Sequence, residues 1–251
     1  DALARVEALR GELTDDDDAA LRAQVLRAHG NMLRRTGKPE AAQTLLGEAM
    51  VLAGATGDDA GAAKAALSLM FTLSDESDRH AEALLVGKTA ELLVRRLEPE
   101  PGPLTAEYLQ TLALALTRKR DYEEAATRSQ EAIALLEREY GALHPRTIDA
   151  VSTYAVQLIE RGDPEGEALT RRVLEDRREV LGAGHPKVTD ALNNLGAALA
   201  NRGAFAESAE LHRRCYELRV VALGPEHPRT LSALGNLSDS LMHTALADLP
   251  E

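Results

Sequence analysis

The segment HPKVTDALNNLGAALANRGAFAESAELHRRCYELRVVALGPE, residues 185–226, decides the fold because the chain repeats it. Residues 144–184 match it with one residue missing after Gly162, and residues 227–241 repeat its first half. The three copies open on His-Pro, and their prolines stand at 145, 186 and 228, which gives intervals of 41 and 42 residues. A fixed period of this length is typical of chains built from one repeated supersecondary unit.

Each copy predicts two helices. In residues 185–226, Leu192, Leu195 and Leu199 recur at helical spacing, and Gly203 is typical of a helix end. The second helix starts near Phe205. Proline at a first helical turn loses no hydrogen bond and keeps the residue before it out of helical geometry. We therefore interpret His-Pro as a helix start, at which the histidine accepts a hydrogen bond or packs between units.

The same frame extends toward the N-terminus. There Arg120 stands where the other copies have Gly37, Gly162 and Gly203, so we expect a different turn. We predict one array over residues 1–251 with these parts: an N-terminal helix 1–17, repeats 19–53, 54–98 (degenerate), 103–143, 144–184 and 185–226, and a half repeat or cap 227–251.

Two short helices cannot bury their apolar faces alone, so neighbouring pairs must stack to form a continuous core. Small residues recur where the helices of a pair would cross. They are Gly30, Ala113, Ala155 and Gly196 in first helices, and Ala49, Ala132 and Cys215 in second helices. The sequence therefore predicts an all-α fold of stacked antiparallel helix pairs.

Leu195, Gly196, Leu199, Gly203, Phe205, Glu207 and Ser208 fit the pattern L-G-x-x-L-x-x-x-G-x-[FY]-x-E-[AS]. This pattern resembles the tetratricopeptide repeat, and the longer period with its His-Pro junctions resembles the kinesin-light-chain variety. The resemblance implies a right-handed α-solenoid whose first helices line a concave groove. It also implies a non-catalytic scaffold that binds protein partners in that groove, within a larger bacterial protein.

A finer resemblance concerns ARVEALRGEL (4–13) and AMVLAGATGDDAGAAKAALSLMF (49–71). Both are similar to repeat regions that follow the kinase domain in some large bacterial serine/threonine kinases. This implies an alternative function, a ligand- or peptide-sensing regulatory domain that controls a linked catalytic domain.

The composition excludes several classes of partner. The formal net charge is −12, which argues against nucleic acid and against anionic membrane surfaces. No apolar run approaches the roughly 20 residues of a membrane span. We find no signal peptide at the start and one cysteine, from which we expect a cytoplasmic protein.

No catalytic or metal-binding motif is present, so we predict no enzyme, no cofactor and no metal. His144, His185 and His227 would stand in a row about 10 Å apart on successive repeats, too far to share one zinc ion. His29 and Cys215 occupy core positions, and TDDDD (14–18) is interpreted as a solvated helix start.

The groove candidates are residues on the outer stripe of the first helices, most of them polar. They are Gln24, Arg27, Asn31, Arg34, Glu107, Gln110, Arg118, Asp149, Ser152, Val156, Asp190, Asn193, Asn194, Asn201, Asn236 and Asp239. Amide side chains can pair with the backbone of an extended peptide. We expect a peptide or protein partner of mixed charge, and not a chaperone C-terminus, because Glu107 and Thr111 stand where the carboxylate clamp needs basic residues.

No second helix follows the last first helix. We expect Leu231, Leu234, Leu237 and Leu241 to pack on the preceding repeat, with Leu246 and Leu249 left over. This predicts either a longer array or self-association through the C-terminal end.

Overall fold

The computed structural model describes residues 2–12, 18–75 and 79–247, and their regular structure is entirely helical. Twelve helices lie in these ranges: α1 (Ala2–Glu12), α2 (Ala19–Arg35), α3 (Pro39–Ala55), α4 (Asp59–Ser74), α5 (His80–Leu97), α6 (Pro103–Arg118), α7 (Tyr122–Tyr140), α8 (Pro145–Arg161), α9 (Glu165–Leu181), α10 (Pro186–Asn201), α11 (Phe205–Leu223) and α12 (Pro228–Ala247). The all-α prediction is confirmed. Residues 14–17 of the acidic run and Leu249 lie outside the described residues.

The chain divides into two compact units, Asp1–Glu139 and Tyr140–Glu251. In the first unit, α2, α3, α4, α5 and α6 pack consecutively, each against its neighbour along the chain. In the second unit, α8 to α12 pack in the same consecutive manner. The predicted stacking of helix pairs is therefore present within each unit.

First helices of successive pairs also contact each other directly. In the first unit α4 contacts both α2 and α6, and in the second unit α10 contacts both α8 and α12. Both α4 and α10 also pack against the second helix of their own pair. The first helices therefore form a continuous layer within each unit.

The buried side chains explain this packing. Leu46 and Met70 fill the first unit, while Leu192, Leu195 and Leu199 of α10 fill the second. The small crossing residues are buried as predicted. A Cβ atom added to Gly196 would lie 2.4 Å from Nε2 of His212, so only glycine permits this close approach.

The turn at Arg120 corrects the sequence prediction. Arg120 has φ 68°, close to the 76° of Gly37 and Gly162. The backbone hydrogen bonds also correspond, since Arg120 N bonds Thr117 O and Gly162 N bonds Ile159 O at 2.9 Å each. The same left-handed turn is made without glycine. The helices on either side impose this geometry, although the left-handed conformation is sterically unfavourable for a residue that has a Cβ atom, such as Arg120.

The three histidines begin helices, as predicted. Nδ1 of His144, His185 and His227 accepts the backbone N–H two residues later, at 3.2, 3.1 and 3.1 Å. At the start of α6 a carboxylate takes this role. Glu98 accepts hydrogen bonds from the backbone N–H groups of Gly102, Leu104 and Thr105.

The last helix corrects another expectation. Leu237 of α12 is buried, but Leu231, Leu234 and Leu241 are about half exposed and are not covered by the preceding repeat. Their faces point toward the place that the second helix of a pair occupies elsewhere, and among the described residues no helix follows α12. Leu246 is exposed, as expected.

Candidate peptide-binding surface

In the second unit, an amide pair joins two first helices on the predicted surface. Nδ2 of Asn236 in α12 donates to Oδ1 of Asn193 in α10 at 2.8 Å, and both residues are half-buried. This bond uses one donor and one acceptor, and an amide side chain has two donors and two acceptor sites. The pair is therefore held in place and still has hydrogen-bonding capacity for a ligand.

Other candidates extend this surface along the same helices. Asn194 of α10 and Ser152 and Val156 of α8 are half-buried. Asn201 and Asp239 are exposed. The surface formed by Ser152, Val156, Asn193, Asn194 and Asn236 is called the amide surface below. It is mostly polar, and none of its five residues is charged.

Asp149 and Asp190 take part in internal contacts instead of standing free. Arg177 of α9 donates to Asp149 at 3.0 Å and to the backbone oxygen of Lys187 at 3.0 Å. Arg219 of α11 repeats the arrangement with Asp190 and with the backbone oxygen of Arg229, at 2.9 Å each. Each arginine therefore ties two successive first helices to the second helix between them.

Lys187 also forms an ion pair with Asp149. These contacts compensate the negative charge that the two aspartates bring to the first helices. Arg177 and Arg219 were not among the predicted residues, although both stand eight residues before a His-Pro histidine.

In the first unit the candidates are more dispersed. Gln24 and Glu107 are exposed, while Arg27, Asn31 and Gln110 are half-buried. Within the described part of this unit, none of these five is joined to another candidate by a hydrogen bond like that of the asparagine pair.

Two further candidates of the first unit have partners elsewhere. The guanidinium of Arg34 stacks over the ring of Phe71 at 4.5 Å, and Arg118 lies 3.7 Å from Asp75. The guanidinium groups of Arg34 and Arg118 therefore already have partners within this chain.

An open concavity of about 720 Å³ in the first unit was not predicted. It lies between α3, α4 and α5, with Leu69 and Leu73 lining it and Glu40 and Glu82 among its polar residues. It involves second helices, so a search restricted to first helices could not find it.

A cluster of polar side chains in the second unit has hydrogen bonds but no access to solvent. His212 hydrogen-bonds Ser240 at 3.0 Å, and Ser240 lies 2.9 Å from Ser208, but all three side chains are buried. Burial lowers the pKa of His212, and hydrogen bonds with the backbone of Asn193 and Asn236 oppose this shift only in part. The cluster holds three helices together and offers no surface for a substrate.

The remaining histidine and cysteine predictions agree with the structure. His29 is buried, with Nε2 3.6 Å from Glu7 of α1. Cys215 is fully buried, and burial raises the pKa of its thiol. Across residues 2–12, 18–75 and 79–247, no three His, Cys, Asp or Glu side chains gather where they could hold a metal ion.

None of the helices that the structure describes has the length and apolar character needed to cross a bilayer.

The sequence profile of the tetratricopeptide repeat matches residues 105–146 and 188–229. The chain carries tetratricopeptide repeats. The two matched segments run from α6 to the start of α8 and from α10 to the start of α12, so each contains one first and one second helix. A comparison with curated protein sequences finds no match.

Solved structures show the same fold. A Podosopora anserina putative kinesin light chain with nearly identical TPR-like repeats has 15% identity and a TM-score of 0.62, over 82% of this chain and 99% of that one. BtubC (BKLC) from P. vanneervenii has 19% identity and a TM-score of 0.65, over 90% and 89%. The apo form of RapI has 11% identity and a TM-score of 0.62, over 97% and 90%.

At these identities the likeness establishes the fold, a tetratricopeptide solenoid of the kind found in kinesin-light-chain-like proteins. Tetratricopeptide repeats support the role of a protein–protein interaction scaffold.

Proposed function

We propose that this protein is a non-catalytic scaffold that binds an extended peptide segment of a protein partner on the amide surface of its second unit. The observation that carries the proposal is the Asn193–Asn236 hydrogen bond, which fixes two amides on adjacent first helices. A fixed amide loses little conformational freedom when it binds, so its remaining donors and acceptors favour a ligand more than a mobile side chain would.

Backbone recognition fits the charges of this surface. Asp149 and Asp190 are paired with Arg177 and Arg219, so the acidic residues do not select a basic peptide by themselves. The uncharged amides match the alternating N–H and C=O groups of any extended backbone. Side chains of the partner that contact Val156 and its neighbours then provide the specificity.

The candidates of the first unit form a second part of the proposal. Arg27 and Asn31 lie one turn apart on α2, half-buried, and bring a cation and an amide to its surface. We assign them to a separate contact with an acidic or polar segment. Gln24, Glu107 and Gln110 complete this set, with a smaller contribution because no hydrogen bond to another candidate orders them.

The test begins with selection of peptides from a random library on the immobilised chain. The affinity of a selected peptide is then measured by calorimetry for the wild type, for the N193A/N194A variant and for a matched control, R213A/R214A. Arg213 and Arg214 are exposed on α11, outside the amide surface. Loss of two oriented amides is expected to weaken binding by about tenfold or more.

The control variant is expected to bind as the wild type does. An equal affinity of wild type and N193A/N194A would contradict the proposed surface. A further variant, R27A/N31A, separates the two units, because a loss confined to that variant would move the site to the first unit.

A further inference from the structure

Asp239 of α12 is a charged side chain at the edge of the amide surface, one helical turn from Asn236. It is exposed, and in the part of the chain that the structure describes it forms no ion pair. The other two aspartates of the predicted surface, Asp149 and Asp190, are each paired with an arginine of a second helix. Of these three aspartates, Asp239 is therefore the one whose charge is left for a ligand.

The histidines around Asp239 do not neutralise it. His212 interacts with it electrostatically, but burial lowers the pKa of the His212 imidazole below 6.5, so this ring is neutral at neutral pH. His243, one turn further along α12, stacks on the ring of Phe205 with 4.6 Å between the ring centroids. Asp239 therefore presents its negative charge to solvent.

The repeat places Asp239 in a row with two residues of the preceding first helices. Counted from the proline that begins each helix, Val156 of α8, Ala197 of α10 and Asp239 of α12 all stand eleven residues on. Val156 and Ala197 are half-buried, so all three side chains reach the surface. Since α10 contacts both α8 and α12, the row changes from apolar through small to acidic along the stack.

The length of this row can be expressed in residues of an extended peptide. Packed helices lie about 8–10 Å apart, and an extended chain advances about 3.3 Å per residue. Successive first helices are therefore about three peptide residues apart, and α8 and α12 are about six apart. Side chains of an extended chain alternate between its two faces, so two residues at a spacing of six point to the same face.

We propose that the amide surface selects peptides in which an apolar residue and a lysine or arginine stand six positions apart. The apolar residue contacts Val156 and the basic residue pairs with Asp239. This inference rests on the proposed function, because the amides hold the peptide backbone between these two contacts. In the middle of the row the backbone passes over Ala197, whose small side chain leaves room for it.

The test uses the peptides selected from the random library, which are expected to share the apolar–basic pair at this spacing. For a selected peptide that carries lysine, calorimetry compares the wild type with D239K and with the control E179K. Glu179 is exposed on α9, a second helix, so E179K makes the same change of charge outside the row. D239K is expected to weaken binding about threefold to tenfold, because repulsion replaces an exposed ion pair. E179K is expected to bind as the wild type does.

A change in the peptide provides the second arm. When its lysine is replaced by glutamate, the peptide is expected to bind D239K about threefold more tightly than it binds the wild type. This arm measures a gain of affinity, so a variant that had merely lost its fold could not produce the expected result.

The outcomes separate this inference from the proposed function. Peptides that lose affinity for N193A/N194A but bind D239K and the wild type equally would overturn the inference and leave the amide surface in place. Selected peptides without a basic residue at this spacing, or equal losses in D239K and E179K, would do the same. Peptides that are insensitive to N193A/N194A, or a library that yields no binder, would overturn the proposed function and this inference with it.

Discussion

In the second unit, α8, α10 and α12 each begin at a histidine that accepts a backbone N–H, and Arg177 and Arg219 tie the first helices together. In the first unit, α6 begins at the Glu98 carboxylate, and the turn before α7 uses Arg120 in place of glycine. Nevertheless α2 to α6 in the first unit and α8 to α12 in the second are packed consecutively. The apolar helix faces therefore determine the stacking, and the junction residues adjust its stability.

The largest difference in stability between equivalent variants of the two units is expected at the glycines where helices cross. In G196A the new Cβ would lie 2.4 Å from the buried ring of His212, whereas in G30A it would lie 2.8 Å from Cγ of the buried Leu46 and 3.2 Å from the backbone oxygen of Ala42. We expect G196A to lower the free energy of unfolding by about 2–3 kcal/mol. Chemical denaturation monitored by circular dichroism measures this.

The better helix propensity of alanine, about 1 kcal/mol, offsets part of the cost in both variants. In G30A the wider separation of 2.8 Å also requires a smaller displacement of the neighbouring atoms. We expect a net loss of about 1 kcal/mol or less. Equal losses for the two variants would show that the crossing in the second unit is no tighter than that in the first.

The next largest effect on stability is expected when Arg219, which joins α10 and α12 to α11, is replaced. R219A leaves the backbone oxygen of Arg229 and the carboxylate of Asp190 without their partner, and should cost about 2 kcal/mol. The control R213A removes an exposed ion pair with Glu210 and should cost less than about 0.5 kcal/mol. A similar small loss for both variants would mean that the tie contributes nothing to the second unit.

The two kinds of helix cap provide a smaller test. H185A removes one hydrogen bond and should cost about 1 kcal/mol, while E98A removes several and should cost slightly more, about 1–2 kcal/mol. Thermal unfolding at neutral pH measures both. If H185A proved the more destabilising, the carboxylate would not be the stronger cap.

The Glu98 cap should also depend on pH. Partial burial raises its pKa, but the N–H groups of Leu104, Thr105 and Gly102 outweigh this and lower the pKa below 4.5. A carboxylate with a lowered folded-state pKa stabilises the fold above its unfolded pKa, and the contribution is lost as the pH falls through the folded value. The stability difference between wild type and E98Q, followed by thermal unfolding at several pH values, should therefore shrink below pH 4.5.

The smallest effect on stability is expected at the turn between α6 and α7, where Arg120 has a left-handed backbone conformation. R120G removes the steric cost of a left-handed arginine, with φ 68°, and should raise the stability of the first unit by up to about 1 kcal/mol in chemical denaturation. The gain is limited because glycine also increases the entropy of the unfolded chain. A loss of stability in R120G would show that the arginine side chain makes a compensating contact.

The sequence predicted the helix pairs well because their apolar spacing is a local property. The three histidine caps followed from proline geometry, which is also local. The turn at Arg120 was predicted wrongly because the flanking helices, and not the residue itself, impose its conformation. Leu234 and Leu241 were assigned to the core because their spacing matches that of Leu192 and Leu199, and spacing cannot show whether a covering helix is present.

The candidate surface was less predictable. Asn193 and Asn236 could be placed on first helices from the repeat alone, but their hydrogen bond depends on how two helices pack. Asp149 and Asp190 were assigned to ligand contact, because their pairing with Arg177 and Arg219 depends on how the second helices pack against the first.

The most direct test of the account is a crystal structure of this chain with a library-selected peptide. We predict an extended peptide that runs across α8, α10 and α12, with its backbone hydrogen-bonded to Asn193, Asn194 and Asn236. A peptide bound to the outward faces of α9 and α11, with the amide surface unoccupied, would contradict the account.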